Sequence, residues 1–195
     1  MRAFWADPYL WIHAAGIAVL PLWLILCFLG LAAGDPILPS GLEILVVAIA
    51  GIAPIVWMQW EKPFCIYSLL AVSLKSSELT EDQRRILTLF QQRRSPIFIG
   101  VGAGVAFLIL KQLYASASLV APVTPIHNHA LGLVVAIVSF LAANLFLQVP
   151  LSVLKVLLAS DSDFEQAAPY DATAIAQKFF EPGLKVTKIL PTLSD

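Results

Sequence analysis

His13 is the first histidine of the chain, and its imidazole could bind a cofactor. It ends the stretch FWADPYLWIH, residues 4–13, whose aromatic side chains suit the level at which a helix enters a membrane. A neutral imidazole at that depth could ligate the magnesium of chlorophyll or the iron of haem. The alternative, which we favour, is an interfacial histidine that is hydrogen-bonded to water, lipid or a backbone carbonyl.

Asn144 and Gln148 are four residues apart in an apolar run, so a helix there places both on one face. In lipid such side chains must find partners, and they commonly join neighbouring helices. Pro150 follows and frees a backbone carbonyl nearby. We favour a structural role together with a helix kink. The alternative is a polar intramembrane contact with a lipid, a pigment or a transported substrate.

His127 and His129 are two positions apart in the loop TPIHNH, and two such imidazoles could share a metal ion. No third ligand lies beside them in that loop. Asp35 and Glu43 are the other carboxylates expected on the same side of the membrane. We therefore expect no metal site.

Other kinds of chemistry lack their usual residues in this sequence. The apolar runs carry no acidic or basic residue at mid-depth, where ion and proton paths usually need one. There is no HExxH, GxSxG or phosphate-loop motif. The net charge of −1 gives no footprint for nucleic acid. We therefore expect neither an enzyme nor a nucleic-acid-binding protein.

The composition is that of a membrane protein. Of 195 residues, 59% are hydrophobic and only 13% are charged, about half the charged share of a soluble domain. Four apolar runs approach or exceed the roughly 20 residues with which a helix crosses the hydrocarbon layer. They cover residues 11–33, 42–60, 96–119 and 130–158. Since the runs lack the alternation of barrel strands, the expected fold is an all-α integral membrane bundle of four transmembrane helices.

The basic residues predict how this bundle is oriented. Lysine and arginine concentrate between the second and third runs, whereas the loop between the first and second runs has none. Arg2 precedes the first run, and Lys155, Lys178, Lys185 and Lys188 end or follow the fourth. Both termini and the central loop are therefore expected on the cytoplasmic side.

The central loop, residues 61–95, is predicted to form amphipathic helical structure on that side. Its apolar part, residues 63–74, is too short to span and should lie in the interface or beneath the bundle. Thr80 with Gln83 predicts a capping box at the start of a second helix. That helix is expected on the membrane surface or, alternatively, on a protein partner. The partner-binding residues assigned to it are Arg84, Arg85, Phe90, Arg93 and Arg94.

The chain changes character after residue 158. Residues 159–178 are acidic, small and polar, which predicts a flexible linker. Residues 179–195 are apolar again and predict a docking motif, bound as an added strand or as a peptide in a groove. Its target is either the chain's own surface or a partner. The residues assigned to that contact are Phe179, Phe180, Leu184, Val186 and Ile189.

Gly100 and Gly104 form a GxxxG motif at the start of the third run. The motif lets two helix backbones approach closely in a membrane. Packing within the chain is favoured over a dimer.

Several stretches of the chain are similar to proteins of one family. They are WADPYLWIH, GIAPIVWMQWEKPFCIYSLLAVSLK, LTEDQRRILTLF and NLFLQVP, with FEPGLKVTKILP in the tail. Through these stretches the chain resembles the cyanobacterial low-complexity tail membrane proteins. The resemblance implies a small multi-span protein with a variable polar linker and a short C-terminal motif, and it implies no activity. A cyanobacterial source points to the thylakoid membrane and to photosystems as partners.

The predicted organisation has five consecutive parts. They are a transmembrane hairpin (1–60), the amphipathic loop (61–95), a second transmembrane pair (96–158), the linker (159–178) and the docking motif (179–195). We expect a non-catalytic accessory or assembly protein of a thylakoid membrane complex, in contact with lipids. The alternatives are a carrier or channel that uses Asn144 and Gln148, and a chlorophyll or haem protein that uses His13. No cofactor is required, and chlorophyll, carotenoid and lipid remain open as ligands.

Overall fold

The computed structural model describes residues 3–190, so Arg2 and residues 191–195 of the predicted docking motif lie outside the described residues. Four helices in it are long and apolar enough to cross a membrane. They are Pro8–Leu31, Gly41–Glu61, Pro96–Leu119 and His129–Leu157, here called the first to fourth spans. Their bounds lie close to the predicted ones, and the expected helical membrane fold is confirmed.

The first span is two α-helices joined by a tighter turn. Helix α1 covers Pro8–Ala15, a 3-10 turn covers Gly16–Val19, and α2 covers Leu20–Leu31. Pro21 lies in the first turn of α2. Because proline has no N–H and its ring crowds the carbonyl four residues earlier, the α-helical ladder is interrupted at this turn.

The remaining elements follow in chain order. They are α3 (Ser40–Glu61), β1 (Ser68–Leu69), β2 (Val72–Leu74), α4 (Glu81–Gln92), α5 (Pro96–Ser116), α6 (His129–Leu157), α7 (Asp161–Gln166), α8 (Ala172–Lys178) and β3 (Leu184–Val186). Pro54 and Pro150 lie inside α3 and α6. Each therefore removes one backbone donor without ending its helix.

The chain packs as two compact units. Of the described residues, the span unit contains 16–57 and 96–148, and the tail unit contains 3–15, 58–95 and 149–190. Residues 61–95 and 179–190, which the sequence suggests are separate parts, thus belong to the same unit.

In the span unit, small residues let α2 and α6 approach closely. A Cβ placed on Gly30 would lie 2.6 Å from the carbonyl oxygen of Gly132 and 2.8 Å from the nitrogen of Ala136. Glycine at position 30 therefore sets the distance between these two helices. The buried core of the unit consists mainly of Cys27, Val47, Ala106, Leu110, Ala136 and Phe140.

In the tail unit, α4 begins at the predicted capping box. Gln83 donates its N–H to the Thr80 hydroxyl at 3.2 Å, and Thr80 donates its N–H to the Gln83 side chain at 3.1 Å. The expectation that α4 lies on the membrane surface is corrected, because its apolar face is buried within its own unit. Residues buried with it include Phe4, Leu10, Ile66, Tyr67, Val153 and Phe179.

The sequence predicts a flexible linker over residues 159–178, and this is corrected by the structure. The segment forms α7 and α8, which begin at side-chain caps from Ser160 and Asp171. Phe164 and Ile175 are buried in the core. One large apolar residue per short helix, together with the caps, orders a segment whose average composition is polar.

The C-terminal segment docks on its own chain. Strand β3 runs parallel to β2, which is antiparallel to β1. Before β3, Cys65 donates its N–H to the Phe180 carbonyl at 2.9 Å, and Phe180 donates to the Pro63 carbonyl at 2.9 Å. Of the two targets open from the sequence, residues 179–190 therefore occupy the chain's own surface as an added strand.

Candidate functional site

A buried carboxylate near one end of the second span is the centre of the main polar network in the span unit. Glu43 lies in the first turn of α3 and is 1% exposed. Its Oε1 contacts His129 Nε2 at 2.7 Å and accepts the Leu38 N–H at 3.2 Å. Its Oε2 accepts the hydroxyl of Tyr114 at 2.8 Å. The carboxylate is thus satisfied by three donors from different parts of the unit.

The imidazole of His129 is held from both sides. Its Nδ1–H donates to the Ala33 carbonyl at 2.5 Å, while Nε2 faces Glu43. Because a carbonyl oxygen only accepts, Nδ1 must carry a proton. A second proton is then shared between Nε2 and the Glu43 carboxylate. With His129 only 7% exposed, the two side chains form a closed, buried hydrogen-bonded pair.

Sequence reasoning missed the role of Glu43. His129 was a candidate only for a metal site, and its neighbour His127 is exposed. Within residues 3–190 no three or more His, Cys, Asp or Glu side chains are grouped as metal ligands would be. The available signal was spacing, since Glu43 and Val47 are four residues apart and therefore share the buried face of α3.

Asn144 and Gln148 are brought together as the sequence predicts. Asn144 donates to the Gly51 carbonyl at 3.0 Å, and Gln148 donates to the Asn144 side-chain oxygen at 2.9 Å. Both side chains are buried. The cavity beside Asn144 is lined by apolar surface and has a volume of about 10 Å³, roughly the size of one water molecule. The pair thus joins α6 to α3, and this cavity is too small for a transported solute.

His13 is bonded to the backbone. Its Nε2–H donates to the Ile66 carbonyl at 2.8 Å, and its ring meets the Phe64 ring edge-on at 5.5 Å. Nε2 is the nitrogen that projects farthest from the helix, so binding chlorophyll or haem through it requires this hydrogen bond to break. The geometry agrees with the alternative of a carbonyl-bonded histidine.

Three arginines in α4 or at its C-terminal end bind the segment that follows the fourth span. Arg85 donates to the carbonyls of Glu165 and Ala167 at 3.1 and 2.9 Å. Arg93 pairs with Asp163 at 2.7 Å. Arg84 also reaches this segment, through the Tyr170 carbonyl, and Arg94 is half-buried at the end of the helix. Three of the four arginines that the sequence assigns to a partner thus hold the chain's own backbone or carboxylate.

The apolar residues assigned to partner binding are divided by the structure. Phe90 and Phe179 are buried, with ring centroids 6.4 Å apart, and this corrects their assignment to a partner-facing surface. Phe180 and Leu184 remain exposed. Val186 and Ile189 are half-buried.

A second polar group lies where the chain enters the first span. Tyr67 donates its hydroxyl to Asp7 Oδ2 at 3.2 Å, and Tyr9 donates its N–H to Asp7 Oδ1 at 2.9 Å. Burial raises the pKa of the Asp7 carboxyl and raises the pKa of Tyr67 well above its ordinary value. Burial also raises the pKa of the Cys65 thiol to about 12, so this thiol is not a nucleophile at neutral pH.

Comparison with known families gives one assignment for the chain. Neither the curated proteins nor the solved structures that were compared contain a match. The low-complexity tail membrane protein-like family, in contrast, matches residues 6–191, which include all four spans and the docked C-terminal segment. The chain is therefore an integral membrane protein and belongs to the low-complexity tail membrane protein-like family.

Proposed function

We propose that this protein is a non-catalytic accessory or assembly subunit of a larger membrane complex in the cyanobacterial thylakoid. The observation that carries the proposal is the hydrogen bonding of four buried polar side chains. Glu43, His129, Asn144 and Gln148 bond to one another or to the backbone. Polar side chains that are hydrogen-bonded in this way hold helices together. This is the role expected of them in a scaffold protein.

Partner contact by helix packing is supported by the third span. Gly100 and Gly104 are exposed, and a Cβ placed on either would meet nothing within 4 Å. Ile97, Val101 and Leu108 are also exposed, at 76%, 57% and 64%. A second membrane helix could approach closely along this face. The C-terminal segment is docked on its own chain, so helix packing becomes the principal means of contact in the proposal.

The test is purification from cyanobacterial membranes in a mild detergent, with an affinity tag on the full chain. Mass spectrometry then identifies the proteins recovered in near-stoichiometric amounts. The double substitution Gly100→Leu/Gly104→Leu fills the open face of α5. Ala115→Leu, at another exposed position of the same helix, is the matched control for added bulk.

A defined photosynthetic complex recovered with the wild type and with Ala115→Leu, but reduced at least fivefold with the double variant, supports the proposal. Recovery of the protein alone, under conditions in which known complexes stay intact, overturns it. A complex that is recovered equally with all three proteins supports the accessory role and removes the α5 face as its contact.

A further inference from the structure

The turn between β1 and β2 has an unexpected residue at its tip. Leu69 pairs with Val72, so Leu70 and Ala71 form a two-residue turn. Leu70 has φ +47° and is 49% exposed. Turns of this kind favour asparagine and glycine, because the left-handed region is costly for other residues. An apolar residue that is both exposed and held in this region points to a function for the tip.

A second exposed leucine lies beside this tip. Leu184, at the start of β3, donates its N–H to the Ala71 carbonyl at 3.0 Å and is 75% exposed. Gly183 has φ +86°, and a Cβ there would lie 2.6 Å from the Val72 nitrogen. Glycine thus allows β3 to approach the turn closely, which places Leu184 at the same end of the sheet as Leu70.

The depth of this sheet is indicated by its contact with the first span. The Ile66 carbonyl accepts the hydrogen bond of His13, which lies within that span. Leu70 follows Ile66 by four residues, so an extended chain keeps it within about 13 Å of the level of His13. Trp5 and Trp11 are exposed at the start of the same span, as expected of side chains at the membrane interface. The turn therefore lies near the aromatic zone of the first span.

We propose that Leu70 and Leu184 insert into the interfacial layer of the bilayer that the spans cross. Lipid is the occupant because the Ile66–His13 hydrogen bond ties the sheet to the first span, near the level of the exposed Trp5 and Trp11. Insertion also removes the exposed leucines from water. This contact is independent of the partner proposed above.

The test measures depth with a fluorophore. The full chain, carrying Leu70→Cys or Leu184→Cys, is labelled with nitrobenzoxadiazole and reconstituted into vesicles of phosphatidylcholine and phosphatidylglycerol. The native Cys27 and Cys65 are buried at 0% exposure, so the introduced thiol takes the label. Ser77→Cys is the control, since Ser77 is exposed within the polar stretch KSSE.

The expected result is at least twofold quenching of the labels at positions 70 and 184 by lipids brominated near the headgroup. The label at position 77 should instead be quenched by iodide in the water. If the labels at 70 and 184 behave like that at 77, the proposal is wrong. If they are shielded from both quenchers, the leucines are covered by protein, which overturns the proposal equally.

A further variant separates insertion from the shape of the turn. Asparagine accepts a positive φ, so Leu70→Asn/Leu184→Asn keeps the turn while removing its apolar surface. A label on Ala71→Cys should be quenched by brominated lipid in the parent chain and at least twofold less in the asparagine variant. Equal quenching in both backgrounds contradicts insertion through the leucines.

Discussion

The Glu43 carboxylate and the His129 imidazole lie 2.7 Å apart and link the second and fourth spans. The pair also holds the hydroxyl of Tyr114, from the third span, and the carbonyl of Ala33, which follows the first. The ionisable side chains of Asp35, Lys111 and His127, in contrast, are exposed. A single buried pair thus connects the second, third and fourth spans with the segment that follows the first.

Glu43→Gln should destabilise the protein by about 3 kcal/mol, because the variant leaves a buried imidazole without its charged partner. The glutamine amide also replaces one carboxylate oxygen by an NH2 group, so a donor then faces either the Tyr114 hydroxyl or the Leu38 N–H. The measurement is the free energy of unfolding in mixed micelles with increasing dodecyl sulfate. Asp35→Asn, which neutralises an exposed carboxylate in the adjoining loop, is the control and should change it by less than about 0.5 kcal/mol. Equal effects of the two substitutions would show that the buried pair contributes no more to the free energy of unfolding than an exposed carboxylate does.

Gly30→Ala should destabilise the chain, whereas Gly100→Ala should not. The added methyl on Gly30 meets the backbone of α6, and such overpacking typically costs about 1–3 kcal/mol. At Gly100 the same methyl meets open space, so only the better helix propensity of alanine remains. Thermal unfolding of both variants in one detergent tests the contrast. A loss of stability at position 100 that matches the loss at position 30 contradicts it.

Arg85→Lys should loosen residues 161–168. The arginine donates to two carbonyls of this segment, and a lysine ammonium lacks the planar fork that serves both. Loss of one such bond, about 1.4 kcal/mol, corresponds to roughly tenfold faster amide exchange. Hydrogen–deuterium exchange with mass spectrometry measures the rate. Arg94→Lys, just beyond the end of α4, is the control, and unchanged exchange in both variants would remove Arg85 as the anchor.

Asp7→Asn should change the pH dependence of stability. Burial raises the pKa of this carboxyl, so the folded state holds the proton more tightly than the unfolded state does. The stability that protonation contributes is fully present below the ordinary value of 3.8 and is lost as the pH rises through the raised pKa. The wild type should therefore gain stability relative to Asp7→Asn when the pH falls from 7 to about 4. A constant difference between the two unfolding midpoints over that range contradicts the assignment.

The features that sequence predicts well here are local. A run of about 20 apolar residues defines a span wherever it occurs, and the Thr80 capping box requires only four consecutive residues. Asn144 and Gln148 are likewise close in sequence, so their shared face follows from helix periodicity.

The features that sequence does not reveal depend on distant partners. Strand β2 pairs with β3 over more than 100 residues, and each strand has only three residues, too few for an alternating pattern. Arg85 bonds to backbone carbonyls, which every residue possesses, so no residue type announces the contact. Glu43 resembles an ordinary surface carboxylate at a helix start until His129 and Tyr114 are seen beside it.

The tail unit joins the beginning of the chain to residues made much later. The Trp5 indole donates to the Leu157 carbonyl at 2.9 Å, across 152 positions of sequence. At about 5–20 residues per second, a ribosome needs roughly 8–30 s to make the intervening chain. For the rest of that interval after they are made, the apolar residues of α4 and of the segment before β1 lack the later residues that cover them. The translation rate between Trp5 and Leu157 therefore sets how long this part of the protein depends on chaperones or on the membrane surface for protection.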